Sequence, residues 1–190
     1  MISLQALLVS TGTVALAEIG DKTQLLALLL AARYRKPWPI ALGILIATLL
    51  NHALSAWLGA GISQWLSPTT LRWAVAASFV AVAAWTLKPD KLDGNEEKLP
   101  AYGAFVATTI AFFLAEIGDK TQVATVLLAT KYSPLWQIVI GTTLGMLLAN
   151  LPVVWLGHRF ADRLPLKLAR TMAATMFLLL ALWVAWHGMG

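Results

Sequence analysis

Residues 17–24 read AEIGDKTQ, and residues 115–122 read AEIGDKTQ again. Each copy sets a Glu, an Asp and a Lys inside a long apolar run. On a water-facing helix such a motif is unremarked; within a membrane it constrains the whole chain. Glu18 and Glu116 are 98 positions apart, and that register holds outward without a gap. Leu29, Leu30 and Ala31 meet Leu127, Leu128 and Ala129, Tyr34 meets Tyr132, Trp38 meets Trp136 and Gly43 meets Gly141. Trp57, Leu58 and Gly59 meet Trp155, Leu156 and Gly157, and Thr11 meets Thr109. The chain reads as a duplicated unit.

The surrounding composition says what kind of unit. Of 190 residues, 59% are apolar and only 12% charged, against about 25% charged in soluble domains. A spanning helix needs roughly 20 apolar residues. Six runs qualify, at 4–32, 38–61, 70–87, 101–130, 135–157 and 170–187, the first and fourth interrupted by the motif charges. Between the third and fourth lies KPDKLDGNEEKLP, residues 88–100, with seven charges and two turn-forming prolines. It reads as a solvated linker between a first three-span repeat, 1–87, and a second, 101–190. An odd number of spans per repeat makes the second copy enter from the opposite side. The expected fold is an all-α integral membrane protein of six transmembrane helices, built as two inverted-topology three-helix repeats. Secondary transporters use this architecture, with the substrate site at the midplane between repeats.

Loop charges give the orientation. Arg33, Arg35, Lys36, Lys88, Lys91, Lys98, Arg159, Arg163, Lys167 and Arg170 fall on one side, and only Arg72 and Lys131 on the other. The positive-inside rule makes the linker cytoplasmic and puts both termini outside. The net charge of +5 is thereby accounted for by the bilayer as partner, without nucleic acid. Residues 1–17 hold no Lys or Arg, so the first run reads as a span rather than a signal peptide. There is no cysteine, which excludes disulfides and thiolate metal sites.

Four of the nine acidic residues, Glu18, Asp21, Glu116 and Asp119, lie near the centres of apolar runs. A charge at the centre of a spanning helix costs about 2.5–3.5 kcal/mol. Six of them, counting Lys22 and Lys120, would cost about 15–20 kcal/mol if uncompensated. They must face one another, water or an ion. In a continuous helix Glu18, Asp21 and Lys22 share a face, as do Glu116, Asp119 and Lys120. Thr11 and Thr109 extend these stripes. Gly20 and Gly118 permit close approach or a local break. Four carboxylates less two lysines leave −2, which matches one divalent cation bound by oxygen. Without the ion, clustered carboxylates in low dielectric tend to take up protons. Sodium coupling stays open. Gln24 and Gln122 are candidates for added amide oxygens, and Thr23 and Thr121 for hydroxyls.

Plainer readings exist for each feature. The motifs could form self-contained salt bridges, Glu18–Lys22 and Glu116–Lys120. Asn51 and Asn150 read either as interhelical glue or as part of an ion path. His52 reads as a satisfied core histidine. Most tryptophans read as interface belts, with Trp57 and Trp155 deeper and in packing.

The doubled EIGDKT, at 18–23 and 116–121, resembles the E-x-G-D-K-[ST] signature of the transmembrane-protein-165 or Gdt family, whose bacterial members include Mne-type manganese exporters. The resemblance implies transport of Mn²⁺, with Ca²⁺ in eukaryotic relatives, in exchange for protons. It implies Glu18, Asp21, Glu116 and Asp119 as ion ligands, with Lys22, Thr23, Lys120 and Thr121 accessory. It implies a multi-pass protein of a bacterial inner membrane, since no Golgi-type targeting extension precedes the first span. No cofactor other than the transported ion is expected, and homo-oligomerisation is left open. The rival readings are a passive divalent-cation channel, an intramembrane aspartyl protease and a structural membrane subunit. A transporter predicts that Asp21→Asn and Asp119→Asn abolish cellular metal tolerance. Equal tolerance in mutant and wild-type cells would favour the structural subunit.

Overall fold

A computed structural model describes residues 4–88, 103–156 and 166–187, and every regular element among them is an α-helix. These are α1 (Leu4–Glu18), α2 (Lys22–Tyr34), α3 (Pro37–Trp65), α4 (Pro68–Thr86), α5 (Ala104–Glu116), α6 (Lys120–Lys131), α7 (Leu135–Leu156) and α8 (Leu166–His187). Lys88 apart, the expected linker 88–100 lies outside the described residues, as do His158 and Asp162.

Local chemistry sets the boundaries. Pro37 opens α3. Pro68 opens α4 behind Ser67, whose Oγ accepts from the Thr70 amide at 3.2 Å. Proline in the first turn loses no helical hydrogen bond. The first and fourth runs, where Gly20 and Gly118 left either close approach or a local break open, are each two helices. The breaks fall at Gly20 (φ 80°) and Gly118 (φ 76°), a left-handed conformation that side chains other than glycine resist. α3, of 29 residues, and α7, of 22, are long and apolar enough to cross a bilayer.

The body buries a set of polar side chains among apolar ones and is apolar without. Along α3, Thr48, Asn51, His52 and Ser55 are buried, while Leu42, Ile46, Leu50, Leu54 and Leu58 are exposed at every fourth position. An exterior of leucine suits hydrocarbon, and helix association there relies on close packing and polar contacts instead of apolar burial. Several buried hydroxyls are satisfied locally: Ser10 donates to Ala6 O, Ser55 to Asn51 O and Thr108 to Ala104 O, each at 2.7 Å. Trp57 and Trp155, expected in packing, stand at the surface, 69% and 45% exposed. They form part of this outer apolar layer.

Close approach occurs at paired places. α1 packs on α7, α3 on α5 and α4 on α8. Gly43 of α3 lies against α5, where an added Cβ would stand 2.7 Å from the Thr108 Cβ. Gly141 of α7 lies against α1, where a Cβ would meet Ser10 and stand 2.9 Å from Leu7 O. Gly43 and Gly141 share the 98-residue register, and so do Ser10 and Thr108. Phe79 of α4 stacks on Phe177 of α8, its own counterpart in that register, with centroids 6.2 Å apart. Gly43→Val and Gly141→Val should each destabilise the fold by about 1–3 kcal/mol through overpacking. Thermal unfolding in detergent reads this as a lowered midpoint. Gly61→Ala, where a Cβ meets nothing within 4 Å, should leave the midpoint unchanged or raised.

Candidate cation site

The two helix breaks are built alike, atom for atom. α1 ends at Glu18 and α5 at Glu116. The chain turns through the glycine, and the Asp amide donates back to the Glu carbonyl, at 3.0 Å for Asp21 and 3.1 Å for Asp119. Asp21 and Asp119 then serve as N-caps, accepting from the Thr23 amide at 3.4 Å and the Thr121 amide at 3.5 Å. A carboxylate here also meets the positive end of the helix dipole. The glycine amides donate to glutamine side chains: Gly20 to Gln24 Oε1 at 2.8 Å and Gly118 to Gln122 Oε1 at 2.6 Å. The amide oxygens expected to face an ion hold the elbows in shape instead.

The glutamine NH₂ groups tie each elbow to the opposite repeat. Gln24 Nε2 donates to Ala149 O at 2.8 Å, and Gln122 Nε2 to Asn51 Oδ1 at 2.6 Å. Asn51 donates to Phe113 O at 3.1 Å. It is thus a brace between helices.

The charges also pair between motifs. Lys120 Nζ meets Asp21 Oδ1, and Lys22 Nζ lies 3.8 Å from Asp119 Oδ1. The elbow takes Glu18 and Lys22 out of one continuous helix, so the spacing that favours a local i, i+4 pair is lost. The two crossed pairs differ in depth. Lys120 is buried, whereas the Lys22 side chain is 18% exposed.

Glu18, Glu116 and Asp119 are all buried, and one oxygen from each lies within 4.8 Å of the others, a spacing that can hold a metal ion. Asp21 stands outside this triad and faces Lys120. Thr23 Oγ1 donates to Glu18 Oε2, and Thr121 Oγ1 donates to Glu116 Oε2 at 2.8 Å. Asn150 Nδ2 donates to Glu18 Oε2 at 3.3 Å. Glu18 Oε1, Glu116 Oε1 and Asn150 Oδ1 have no hydrogen-bond partner. Buried acceptors left in this state are costly unless a cation or proton completes them. Thr11 and Thr109 are not part of this cluster; Thr109 donates to Phe105 O at 2.9 Å and faces outward.

His52, expected as a satisfied core histidine, is not satisfied. It is fully buried, neither ring nitrogen has a hydrogen-bond partner, and Nε2 lies 3.9 Å from Glu116 Oε2. The signal was present: 98 positions on from His52 is Asn150, the residue that touches Glu18.

Residues 6–94 and 104–190 match the model of the family described as "Divalent cation/proton antiporter GDT1". The chain belongs to the GDT1 family. It is 58% identical over 180 residues to a Vibrio cholerae protein named "Putative manganese exporter", covering 94% of this chain and 90% of that one. A GDT1-like protein of Synechocystis is 26% identical over 194 residues, covering 91% of this chain and 92% of its own length. GDT1-like protein 3 of Arabidopsis thaliana is 26% identical over 200 residues, covering 91% of this chain and 68% of its own. No solved structure matches the chain. GDT1 members are transporters, so the chain is a membrane protein that moves ions.

Removing one partner of a buried ion pair costs about 3–5 kcal/mol, because the other charge stays behind. Lys120→Met should therefore destabilise this GDT1 protein more than Lys22→Met, because Lys22 is already partly hydrated and lies 3.8 Å from Asp119. Adding Asp21→Asn to Lys120→Met should restore much of the loss. Chemical unfolding of the three variants in detergent checks the order.

Proposed function

We propose that this chain exports Mn²⁺ across a bacterial inner membrane in exchange for protons, through a midplane site between the two EIGDKT motifs. The observation that carries the reading is the buried triad of Glu18, Glu116 and Asp119, with oxygens left without partners, in a member of a cation/proton antiporter family. Asp21 completes the ligand set when Lys120 withdraws. Thr23, Thr121 and Asn150 orient the Glu carboxylates, and Gln24, Gln122 and Asn51 hold the elbows.

The exchange logic follows from charge. Three to four carboxylates in a body without bulk water need positive charge at every stage of a cycle. The metal supplies it when bound, and protons or a lysine ammonium when it has left. An ion and protons that compete for the same oxygens are moved in opposite directions. The name of the Vibrio cholerae relative favours Mn²⁺ as the cargo, and the same oxygens also suit Ca²⁺.

The six-span inverted-repeat architecture belongs to this proposal. Its support is the set of contacts that recur 98 residues apart: Gly43 on Thr108 with Gly141 on Ser10, and Phe79 on Phe177 across the axis between repeats. An axis in the membrane plane brings the two elbows together and lets the site face either side in turn. The loop charges put the linker in the cytoplasm and both termini outside.

Reconstituted protein should take up Mn²⁺ faster when an opposing proton gradient is imposed, and Glu18→Gln or Glu116→Gln should reduce uptake to that of protein-free liposomes. Ca²⁺ and Mg²⁺ tested alongside rank the cargo. Flux that follows the metal gradient and ignores pH would make the protein a passive channel.

A further inference from the structure

The two halves of the site are not chemically equal. Asn150 on α7 faces Glu18, and the position in the same register on α3, facing Glu116, is His52. One repeat brings an amide to its carboxylate, and the other brings an imidazole.

His52 has the marks of a ligand rather than of a packing residue. Its side chain is fully buried, and both ring nitrogens lack hydrogen-bond partners. A core histidine is normally held by at least one such bond, since an unsatisfied buried polar atom costs about 1–3 kcal/mol. The separation of Nε2 from Glu116 Oε2, 3.9 Å, is too long for a hydrogen bond. It is the right span for two ligands of one ion. Atoms bound about 2–2.5 Å from a common metal stand about 3–4 Å apart.

We propose that His52 supplies a nitrogen ligand to the transported ion beside Glu116, and that this nitrogen makes the site select a transition metal over Ca²⁺ and Mg²⁺. The inference rests on the assignment of Glu18, Glu116 and Asp119 as ion ligands. Carboxylates alone do not discriminate, because Ca²⁺, Mg²⁺ and Mn²⁺ all accept oxygen. Ca²⁺ and Mg²⁺ take oxygen ligands almost exclusively, so an imidazole in the shell is a lost ligand for them. A first-row transition ion accepts both donor types. One nitrogen among carboxylates is therefore a filter placed at the point of binding. It also explains why a duplicated unit departs from its own repeat there.

The test uses the full-length protein carrying His158→Asn and His187→Asn, so that His52 is the one remaining histidine. With Mn²⁺ bound in nanodiscs, pulsed electron paramagnetic resonance should show coupling to a ¹⁴N nucleus. That coupling should change to the ¹⁵N pattern when histidine alone is ¹⁵N-labelled. His52→Asn and His52→Gln should abolish it. In liposomes the preference of both variants for Mn²⁺ over Ca²⁺ should fall at least about tenfold, and gel filtration and thermal unfolding in detergent report their folding. Mn²⁺ bound and transported without histidine coupling, or an unchanged preference in His52→Asn, would overturn the role of His52 alone. Failure of the starting protein to bind or move Mn²⁺ would overturn the transport reading with it. Should both variants misfold, the isotope exchange in the starting protein still decides.

Discussion

The structure depends on keeping four carboxylates in an apolar body. Each of the two aspartates caps the second half of a broken helix and also meets the lysine of the other repeat. Each repeat supplies a cation to the aspartate of the other. Such pairs contribute little net stability once desolvation is counted, but breaking one is severe. Their effect is specificity: only the arrangement with both motifs face to face leaves no aspartate without a cation.

The elbows make that arrangement possible. A continuous helix would carry Glu, Asp and Lys past one another on a single face. The glycine turn instead ends one helix on Glu and begins the next on Asp. The Glu carboxylates gather on one side, with the threonine of the next helix reaching back to each. Within this shared framework the copies diverge. Lys120 is sealed in while Lys22 reaches partly out, and Asn150 is set against His52. Identical motifs in unequal surroundings are what a carrier that faces two sides requires, since its two conformations exchange the surroundings of the repeats.

Much of this was legible in the residues. Charges inside apolar runs had to face inward, and they do. The register that aligned Gly43 with Gly141 marks two places of close helix contact. What escaped was set by the turn. Treating residues 4–32 as one helix put Glu18 beside Lys22 and freed Gln24 to bind an ion, whereas the positive φ at Gly20 takes the glutamine oxygen for the backbone. Trp57 and Trp155, expected deeper and in packing, stand in the outer apolar layer instead. His52, expected as a satisfied core histidine, has neither ring nitrogen satisfied. Strict application of the repeat to Asn150 points to the histidine.

The crossed pairing has a bearing on biogenesis. The first repeat leaves the ribosome carrying Glu18, Asp21 and Lys22, and its aspartate meets Lys120 only after the linker and the next span have been made. Until then the newborn half holds a surplus of negative charge among apolar helices, and Asp21 lacks the cation that Lys120 brings. The crossed pairs thus tie the completion of the first half to the synthesis of the second.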